Sequence, residues 1–315
     1  MPCDRISFSI STPIPPLSNT ATQAPANSLQ SRLDGFLARL PVDALVSRIH
    51  ATSSFSHEAI ASTLKTFINE THATLAVVES RIDRKQRVLE VGAGICLFSA
   101  FLKSEGYDIV ALEPAIGGYE MFAACKKAIL EHFSALNLRV LEIPAGELDA
   151  AVHGTFDLIF TNNVIEHIPD LPEALSAMMS VLGPGGQMVH TTANYWFPYE
   201  PHYGIPVLAW SPGLTRRVFA SRIDKNPGIW DSLNFLTYGD IQRFAKQHGY
   251  RVTFDAELLY EALLRLDSDP VFRARHDSGF AALVFRTLKT TGIVRLLKYL
   301  PASWTSPMRF AMTRD

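Results

Sequence analysis

The stretch Arg87-Val88-Leu89-Glu90-Val91-Gly92-Ala93-Gly94 predicts a buried strand that ends in a tight glycine turn. The next apolar run ends at Glu113. Glycines let the backbone approach a ligand without a Cβ in the way, and a helix that starts after the turn offers unpaired N–H groups. A carboxylate about twenty residues further on is suited to hold two ribose hydroxyls. The stretch therefore predicts a nucleoside-binding site.

The glycine spacing indicates which kind of nucleoside is bound. A dinucleotide binder has the pattern G-x-G-x-x-G, because a pyrophosphate lies across the turn and the helix packs close to it. Leu97 stands at the third glycine position, and Glu90 lies two residues before Gly92. A negative residue there suits a ligand with a cationic ammonium group better than a pyrophosphate.

Two later motifs support the same interpretation. The stretch 156–170 reads FDLIFTNNVIEHIPD, and Gly183-Pro184-Gly185-Gly186 precedes another apolar run. Taken in order, these motifs resemble the class I methyltransferases that use S-adenosylmethionine, including the ubiquinone-biosynthesis O-methyltransferases. The resemblance covers roughly residues 87–194, and a weaker similarity runs from Tyr238 to Leu258.

The alternation of strands and helices predicts a doubly wound, mainly parallel sheet. The resemblance implies an α/β, Rossmann-like fold of the seven-stranded type, with helices on both faces, an N-terminal helical extension and an insertion after strand five. The expected strands are Arg87–Val91, Asp108–Glu113, Arg139–Ile143, Asp157–Phe160, Gln187–Thr192 and Tyr250–Asp255. A seventh strand is not evident. Ala281–Phe285 is either that strand or part of a helix that runs to Leu300.

Composition divides the chain into four segments. Residues 1–28 are rich in Pro, Ser and Thr and are expected to be a disordered tail. Residues 29–82 form the helical extension, which either caps the cofactor site or is a plain packing layer. Residues 83–258 are the methyltransferase core with its insertion at 195–236, and residues 259–315 are expected to be a C-terminal helical segment.

The resemblance implies a set of residues that bind S-adenosylmethionine: Glu90, Gly92, Ala93, Gly94, Glu113, Glu147 and Asn162. The turn lines the methionine part of the cofactor, Glu90 holds its amino group, and Glu113 takes the ribose hydroxyls. Glu147 either reaches the adenine amino group or is a solvated loop carboxylate. Asn162 ends strand four and faces the cofactor.

Three residues are candidates for catalysis. His167 is a candidate general base or a structural residue of its loop. Tyr199 and His202 lie in the aromatic stretch 194–204 and either orient or deprotonate an acceptor, or pack the insertion on the sheet. Glu200 and His202 are expected to project close together. Asn163 stands where the ubiquinone-type enzymes have a Glu, which removes a carboxylate from their metal site, so no metal site is predicted.

The overall composition limits the classes of molecule that the protein is expected to bind. Of 315 residues, 47% are hydrophobic and 19% are charged, and the formal net charge is −2. This charge gives no electrostatic case for nucleic acid, so the expected partner is a small-molecule acceptor. No apolar run is long enough to span a membrane, and a cytoplasmic location is expected. The basic, apolar stretch Phe280–Phe310 either lies on an anionic membrane or, as we favour, packs on its own domain.

These observations predict methyl transfer to a small or medium-sized acceptor by in-line displacement, with oxygen favoured over nitrogen or carbon. Two alternatives remain open from the sequence. One is an inactive methyltransferase-fold subunit that binds the cofactor without turnover. The other is a dinucleotide-dependent oxidoreductase, against which Leu97 argues.

Overall fold

A computed structural model describes residues 28–114, 120–256 and 299–314, with a few single positions between 257 and 298. The expected tail and the alternative strand Ala281–Phe285 lie outside the described residues, except for Ser28. So does the first part of the basic stretch Phe280–Phe310, apart from a few single positions.

Three helices precede the sheet, as the sequence predicts: α1 (Leu29–Ala38), α2 (Val42–Thr52) and α3 (His57–Val78). The hydroxyls of Ser28 and Ser56 accept hydrogen bonds from backbone N–H groups in the first turns of α1 and α3, which satisfies donors that a helix start leaves unpaired. Apolar residues at three- and four-residue spacing bury one face of each helix. These faces pack on one side of the sheet.

The sheet has seven strands in the order β3-β2-β1-β4-β5-β9-β8. Its strands are β1 (Arg87–Val91), β2 (Asp108–Leu112), β3 (Arg139–Leu141), β4 (Phe156–Asn162), β5 (Leu182–Thr192), β8 (Tyr250–Phe254) and β9 (Met308–Arg314). The first five are parallel, and β9 runs antiparallel to both β5 and β8. The predicted doubly wound, mainly parallel sheet is confirmed.

Strand β9 corrects the expectation of a helical segment that continues to residue 315. Met308–Arg314 is extended and pairs along its length with β5 and β8. Met308, Phe310 and Met312 are buried, which is the two-residue period of a strand. The gap between β5 and β8 leaves both strands with unpaired backbone groups, and β9 satisfies them.

Helices cover both faces of the sheet: α4 (Leu97–Ser104), α5 (Glu120–His132), α6 (Ala150–His153), α7 (Leu171–Ser180) and α11 (Tyr238–His248). The predicted insertion after β5 contains short regular elements. It contains the hairpin β6 (Tyr199–Glu200) and β7 (Ile205–Pro206) and the short helices α8 (Pro212–Val218), α9 (Ala220–Ile223) and α10 (Pro227–Ser232). A small separate core that includes Tyr195, Ile205 and Trp230 holds it together. No helix of the described residues is long and apolar enough to cross a membrane.

Candidate active site

The glycine turn joins β1 to α4 at the carboxyl edge of the parallel strands. Gly92 and Gly94 have φ angles of +75° and +55°, which are left-handed conformations that other residues adopt with strain. A Cβ on Gly92 would lie 2.4 Å from Val164 Cγ2, and a Cβ on Gly94 would lie 2.5 Å from Phe67 Cε1. Both positions therefore require glycine for conformation and for space.

The end of β2 completes the turn. The N–H groups of Gly92 and Ala93 donate to the Leu112 carbonyl at 2.8 and 3.1 Å. The Gly94 N–H donates to Glu113 Oε2 at 2.7 Å. Burial raises the pKa of Glu113 to about 7, against the lowering effects of the Gly94 hydrogen bond and of the Lys126 ammonium. The carboxylate expected at the ribose thus lies directly on the glycine turn.

Glu90 lies beside the same turn, on β1. Its carboxyl is buried and accepts a short hydrogen bond from the Ser99 hydroxyl of α4. Burial raises the pKa of Glu90 to about 8, and the nearby Glu113 adds to this effect. Two acidic side chains at one glycine turn suit a cationic ligand, because a nearby positive charge favours their ionised forms, whereas a pyrophosphate would favour the neutral forms and gain no ion pair. The donor set therefore fits S-adenosylmethionine, which carries an ammonium and a sulfonium group, better than a dinucleotide.

Helix α3 lies over the carboxyl edge of the sheet. The Phe67 ring fills the space beside Gly94 that a Cβ would need. Thr74 Oγ1 accepts a hydrogen bond of 3.2 Å from Asn162 Nδ2 at the end of β4. Asn162 thus lies at the predicted edge. Glu147, by contrast, is exposed in a single helical turn, Ala145–Glu147, that packs against α7. The predicted contact of Glu147 with adenine stays a prediction.

A second polar cluster lies under the insertion. Glu200 is fully buried and accepts hydrogen bonds from His202 Nδ1 at 2.6 Å, from the Tyr203 N–H at 2.9 Å and from the Tyr195 hydroxyl at 3.3 Å. The expected proximity of Glu200 and His202 is therefore observed. Burial acts to raise the pKa of Glu200, but the bond from His202 outweighs it and the pKa lies below its usual range. Burial acts to lower the pKa of His202, but Glu200 outweighs it and the pKa is raised. The two side chains form an imidazolium–carboxylate pair.

His167 faces this pair. The rings of His167 and His202 lie 5.2 Å apart between centroids. Burial and, to a smaller extent, the charge of His202 together lower the pKa of His167 to about 4. His167 is therefore a neutral imidazole beside a charged one.

The tautomer of His167 follows from its partner. Ser232 Oγ lies 2.8 Å from His167 Nδ1 and donates its own hydrogen to the Ile229 carbonyl at 2.8 Å. A hydroxyl has one hydrogen to donate. With that hydrogen on the Ile229 carbonyl, Ser232 accepts from Nδ1–H, and in this tautomer His167 Nε2 carries the lone pair.

Tyr199 lies apart from this cluster. On β6 its side chain is 41% exposed, whereas that of the adjacent Glu200 is fully buried. Consecutive residues of a strand point to opposite sides, so Tyr199 faces away from the Glu200–His202 pair. Tyr195, which the sequence did not single out, reaches the pair instead.

Glu166 completes the buried polar groups at this edge. It accepts a hydrogen bond of 2.8 Å from the Thr192 hydroxyl, and burial raises its pKa to about 7. Within the described residues, no group of three or more His, Cys, Asp or Glu side chains is arranged to hold a metal ion. The acidic and histidine side chains here instead pair with hydroxyls and with each other.

Comparison with known proteins assigns the family. A profile of the methyltransferase domain matches residues 59–253. The chain belongs to the class I S-adenosylmethionine-dependent methyltransferases. The uncharacterised protein Rv1509 of Mycobacterium tuberculosis is 33% identical over 298 residues, which are 91% of this methyltransferase and 97% of that protein. The ubiquinone biosynthesis O-methyltransferase of Psychrobacter cryohalolentis is 30% identical over 109 residues, 35% of this chain and 41% of that enzyme.

Two solved structures have a similar arrangement. An S-adenosylmethionine-dependent methyltransferase of Mesorhizobium loti matches with a TM-score of 0.47 and 13% identity, covering 76% of this methyltransferase and 96% of that chain. Phosphoethanolamine N-methyltransferase 2 of Haemonchus contortus, in complex with S-adenosyl-L-methionine, matches with a TM-score of 0.45 and 19% identity, covering 78% and 52%.

Proposed function

We propose that this methyltransferase transfers the methyl group of S-adenosylmethionine to an oxygen of a small or medium-sized acceptor. The proposal is carried by the neutral His167, whose ring lies 5.2 Å from the ring of His202 in the His202–Glu200 ion pair. When bound, S-adenosylmethionine supplies an electrophilic methyl carbon. The residues proposed to hold it are Glu90, Gly92, Ala93, Gly94, Glu113 and Asn162, with Glu147 as a further candidate.

A hydroxyl acceptor has to lose its proton as it attacks, and His167 Nε2 is the group proposed to take it. A base with a pKa of about 4 is unprotonated at neutral pH but weak. It therefore suits an acidic hydroxyl, such as that of a phenol or catechol, better than a sugar alcohol. The His202 imidazolium, held by Glu200, favours the oxyanion that forms when the acceptor ionises.

An oxygen acceptor also agrees with the similarity to the ubiquinone O-methyltransferases, although that similarity spans about a third of this chain. The two alternatives from the sequence draw no comparable support. Leu97 in place of a third glycine disfavours a dinucleotide, as does the position of the acidic Glu90 and Glu113 at the turn, where a pyrophosphate finds no cationic partner. An inactive subunit would not need a neutral histidine beside an ion pair.

Calorimetric titration tests the cofactor first. S-Adenosylhomocysteine is expected to bind with micromolar affinity and NAD not to bind. Binding of NAD in place of S-adenosylhomocysteine would contradict the proposed cofactor. Binding of S-adenosylhomocysteine without turnover on any acceptor would instead favour the inactive subunit.

Turnover measurements test the proposed role of His167 as general base. Formation of S-adenosylhomocysteine is measured on phenols, catechols, alcohols and amines, with His167→Gln beside the wild type. His167→Gln is expected to lower kcat by about 10²–10⁴-fold and to leave the affinity for S-adenosylhomocysteine unchanged. Wild-type activity is expected to fall in alkaline solution as His202 loses its proton. Equal kcat values for the two proteins would exclude His167 as the base.

A further inference from the structure

Large apolar side chains are exposed on and beside the insertion. The chain has four tryptophans, and three of them are far more exposed than tryptophan usually is in a folded domain: Trp196 at 68%, Trp210 at 81% and Trp304 at 66%. Only Trp230 is buried, at 5%. Exposed apolar groups concentrated in one region mark an interaction surface.

Hydrogen bonds tie these tryptophans to one part of the molecule. The buried side chain of Asn194 donates to the carbonyls of Ser303 and Thr305 at 3.1 and 3.0 Å and accepts from the Trp196 N–H at 3.2 Å. Asn194 therefore bonds to the backbone of Trp196 and to the carbonyls of the two residues that flank Trp304.

Trp210 is joined to the same region through the hairpin. The Val207 N–H donates to the Pro198 carbonyl at 3.2 Å, and the Leu208 N–H donates to the Thr215 hydroxyl of α8 at 3.1 Å. The hairpin that holds Glu200 and His202 lies between Trp196 and Trp210 along the chain.

Helix α8 adds an apolar stripe. Thr215 faces inward and is buried, whereas Leu214 and Val218 are 48% and 66% exposed. Residues four apart lie on the same side of a helix. We call Trp196, Trp210, Leu214, Val218 and Trp304 the insertion face.

The charge beside the insertion face is positive, although the whole chain is slightly negative. Arg216 pairs with Asp231. Arg217, Arg222 and Lys225 are also exposed. In the range 212–226, which covers α8, α9 and the residues between α9 and α10, the one acidic residue is Asp224. Exposed tryptophans next to cations are typical of surfaces that lie in a phospholipid headgroup region.

We propose that the insertion face docks on an anionic phospholipid membrane, independently of the methyl transfer. Tryptophan and leucine would enter the headgroup region, while the arginines and Lys225 would meet anionic headgroups. A two-fold contact between two copies would bring the same cations against each other, so the charge favours lipid over a second copy.

Vesicle flotation of the full chain tests the proposal, with phosphatidylcholine vesicles that either contain or lack phosphatidylglycerol. The wild type is expected to float only with the anionic vesicles, and less so at high salt. The variant W210S/L214S/V218S is expected to bind about tenfold or more weakly. The variant R217Q/K225Q is expected to lose the preference for anionic lipid.

Matched controls are Val152→Ser, at an apolar position 67% exposed on α6, and K127Q/K246Q, at exposed cations of α5 and α11. Both are expected to float like the wild type, and all variants to keep their affinity for S-adenosylhomocysteine. Failure of the wild type to float, or flotation of W210S/L214S/V218S at the wild-type level, overturns the proposal. A mass in sedimentation that falls from dimer to monomer in W210S/L214S/V218S would assign the face to a second copy instead. None of these outcomes depends on turnover.

Discussion

Gly94 is the residue at which the glycine turn meets the N-terminal helices. Gly94→Ala would place a Cβ against the Phe67 ring in a left-handed conformation. The free energy of unfolding is expected to fall by about 1–3 kcal/mol from the backbone strain. The affinity for S-adenosylhomocysteine is expected to fall about tenfold or more because Phe67 or the turn must move, as measured by urea denaturation and calorimetric titration.

Gly106→Ala is the matched control. Gly106 also has a positive φ, +83°, but a Cβ there would meet nothing within 4 Å. Gly106→Ala should lower the free energy of unfolding by a similar amount and leave the affinity for S-adenosylhomocysteine unchanged. If Gly94→Ala also kept its affinity, the turn would not line the cofactor.

Glu113 makes a separate prediction at the same site. Glu113→Ala should weaken the binding of S-adenosylhomocysteine by roughly 1.5–3 kcal/mol, the range for hydrogen bonds to a charged group. Glu142→Ala serves as the comparison, because Glu142 pairs with the same Lys126 but is exposed. Equal affinities for the two variants in calorimetric titration would place the ribose elsewhere.

The turn was predictable at the level of residues because its signal is local: two glycines after a buried strand. The partners of the turn were not. Phe67, Ser99 and Lys126 reach Gly94, Glu90 and Glu113 through tertiary packing, and nothing in their sequence spacing indicates it. Ser232, which is hydrogen-bonded to His167 Nδ1, lies 65 residues away along the chain.

Among the elements, α3 makes contacts that bear on both roles left open for the N-terminal extension. Leu64 and Leu75 are buried in the core that the helices share with the sheet. Phe67 and Thr74 meet the glycine turn and the end of β4. One helix therefore both packs the sheet and covers the edge where the cofactor is proposed to bind.

Asn194 is the link between the insertion, α11 and the segment before β9. Its Oδ1 accepts from the N–H groups of Trp196 and Tyr238, and its Nδ2 donates to two carbonyls of 303–305. Asn194→Ala would leave these buried groups unpaired, and the free energy of unfolding should fall by about 2–5 kcal/mol. Urea denaturation measures it.

Asn226→Ala, at an exposed position of the same insertion, should change the free energy of unfolding by less than about 0.5 kcal/mol. Similar values for the two variants would mean that Asn194 does not connect these elements.

Strand β9 is the element that the expected C-terminal helical segment does not contain. Its signal is weak, because Met308, Phe310 and Met312 alternate with the polar Arg309 and Thr313 but also with the apolar Ala311. Arginines among apolar residues are equally typical of an amphipathic helix, so composition does not distinguish the two. A seven-residue alternation also does not say which strands it pairs with, and β9 pairs with strands far away in the sequence.

For the whole molecule, the buried ionisable groups predict how stability depends on pH. Buried His167 and His190 have pKa values of about 4 and 3. Below pH 6.5 the unfolded chain takes up protons that the folded chain does not, so these two residues reduce the free energy of unfolding as the pH falls. Glu90, Glu113 and Glu166 have pKa values raised to about 8, 7 and 7, so their protonated forms stabilise the fold until pH rises through those values. The effects oppose each other below pH 6.5.

Above pH 6.5 the carboxyl groups act together with His202, whose raised pKa has the same sign. The free energy of unfolding should therefore fall from pH 6.5 to pH 8, by up to about 1.4 kcal/mol per pH unit for each group still protonated. Urea denaturation across this range measures the slope. Glu90→Gln, which cannot ionise, should give a shallower slope than the wild type. An unchanged slope would show that Glu90 is ionised in the fold.

The position of β9 has a consequence for how the polypeptide is made. β9 lies between β5 and β8 in the sheet, yet it follows β8 in the sequence. A nascent chain that has left the ribosome as far as β8 has an open edge at β5 and no neighbour in the sheet for β8. The five parallel strands, β1 to β5, can assemble during synthesis. The free edge of β5 stays open to incorrect pairing with other chains until residues 308–314 have emerged.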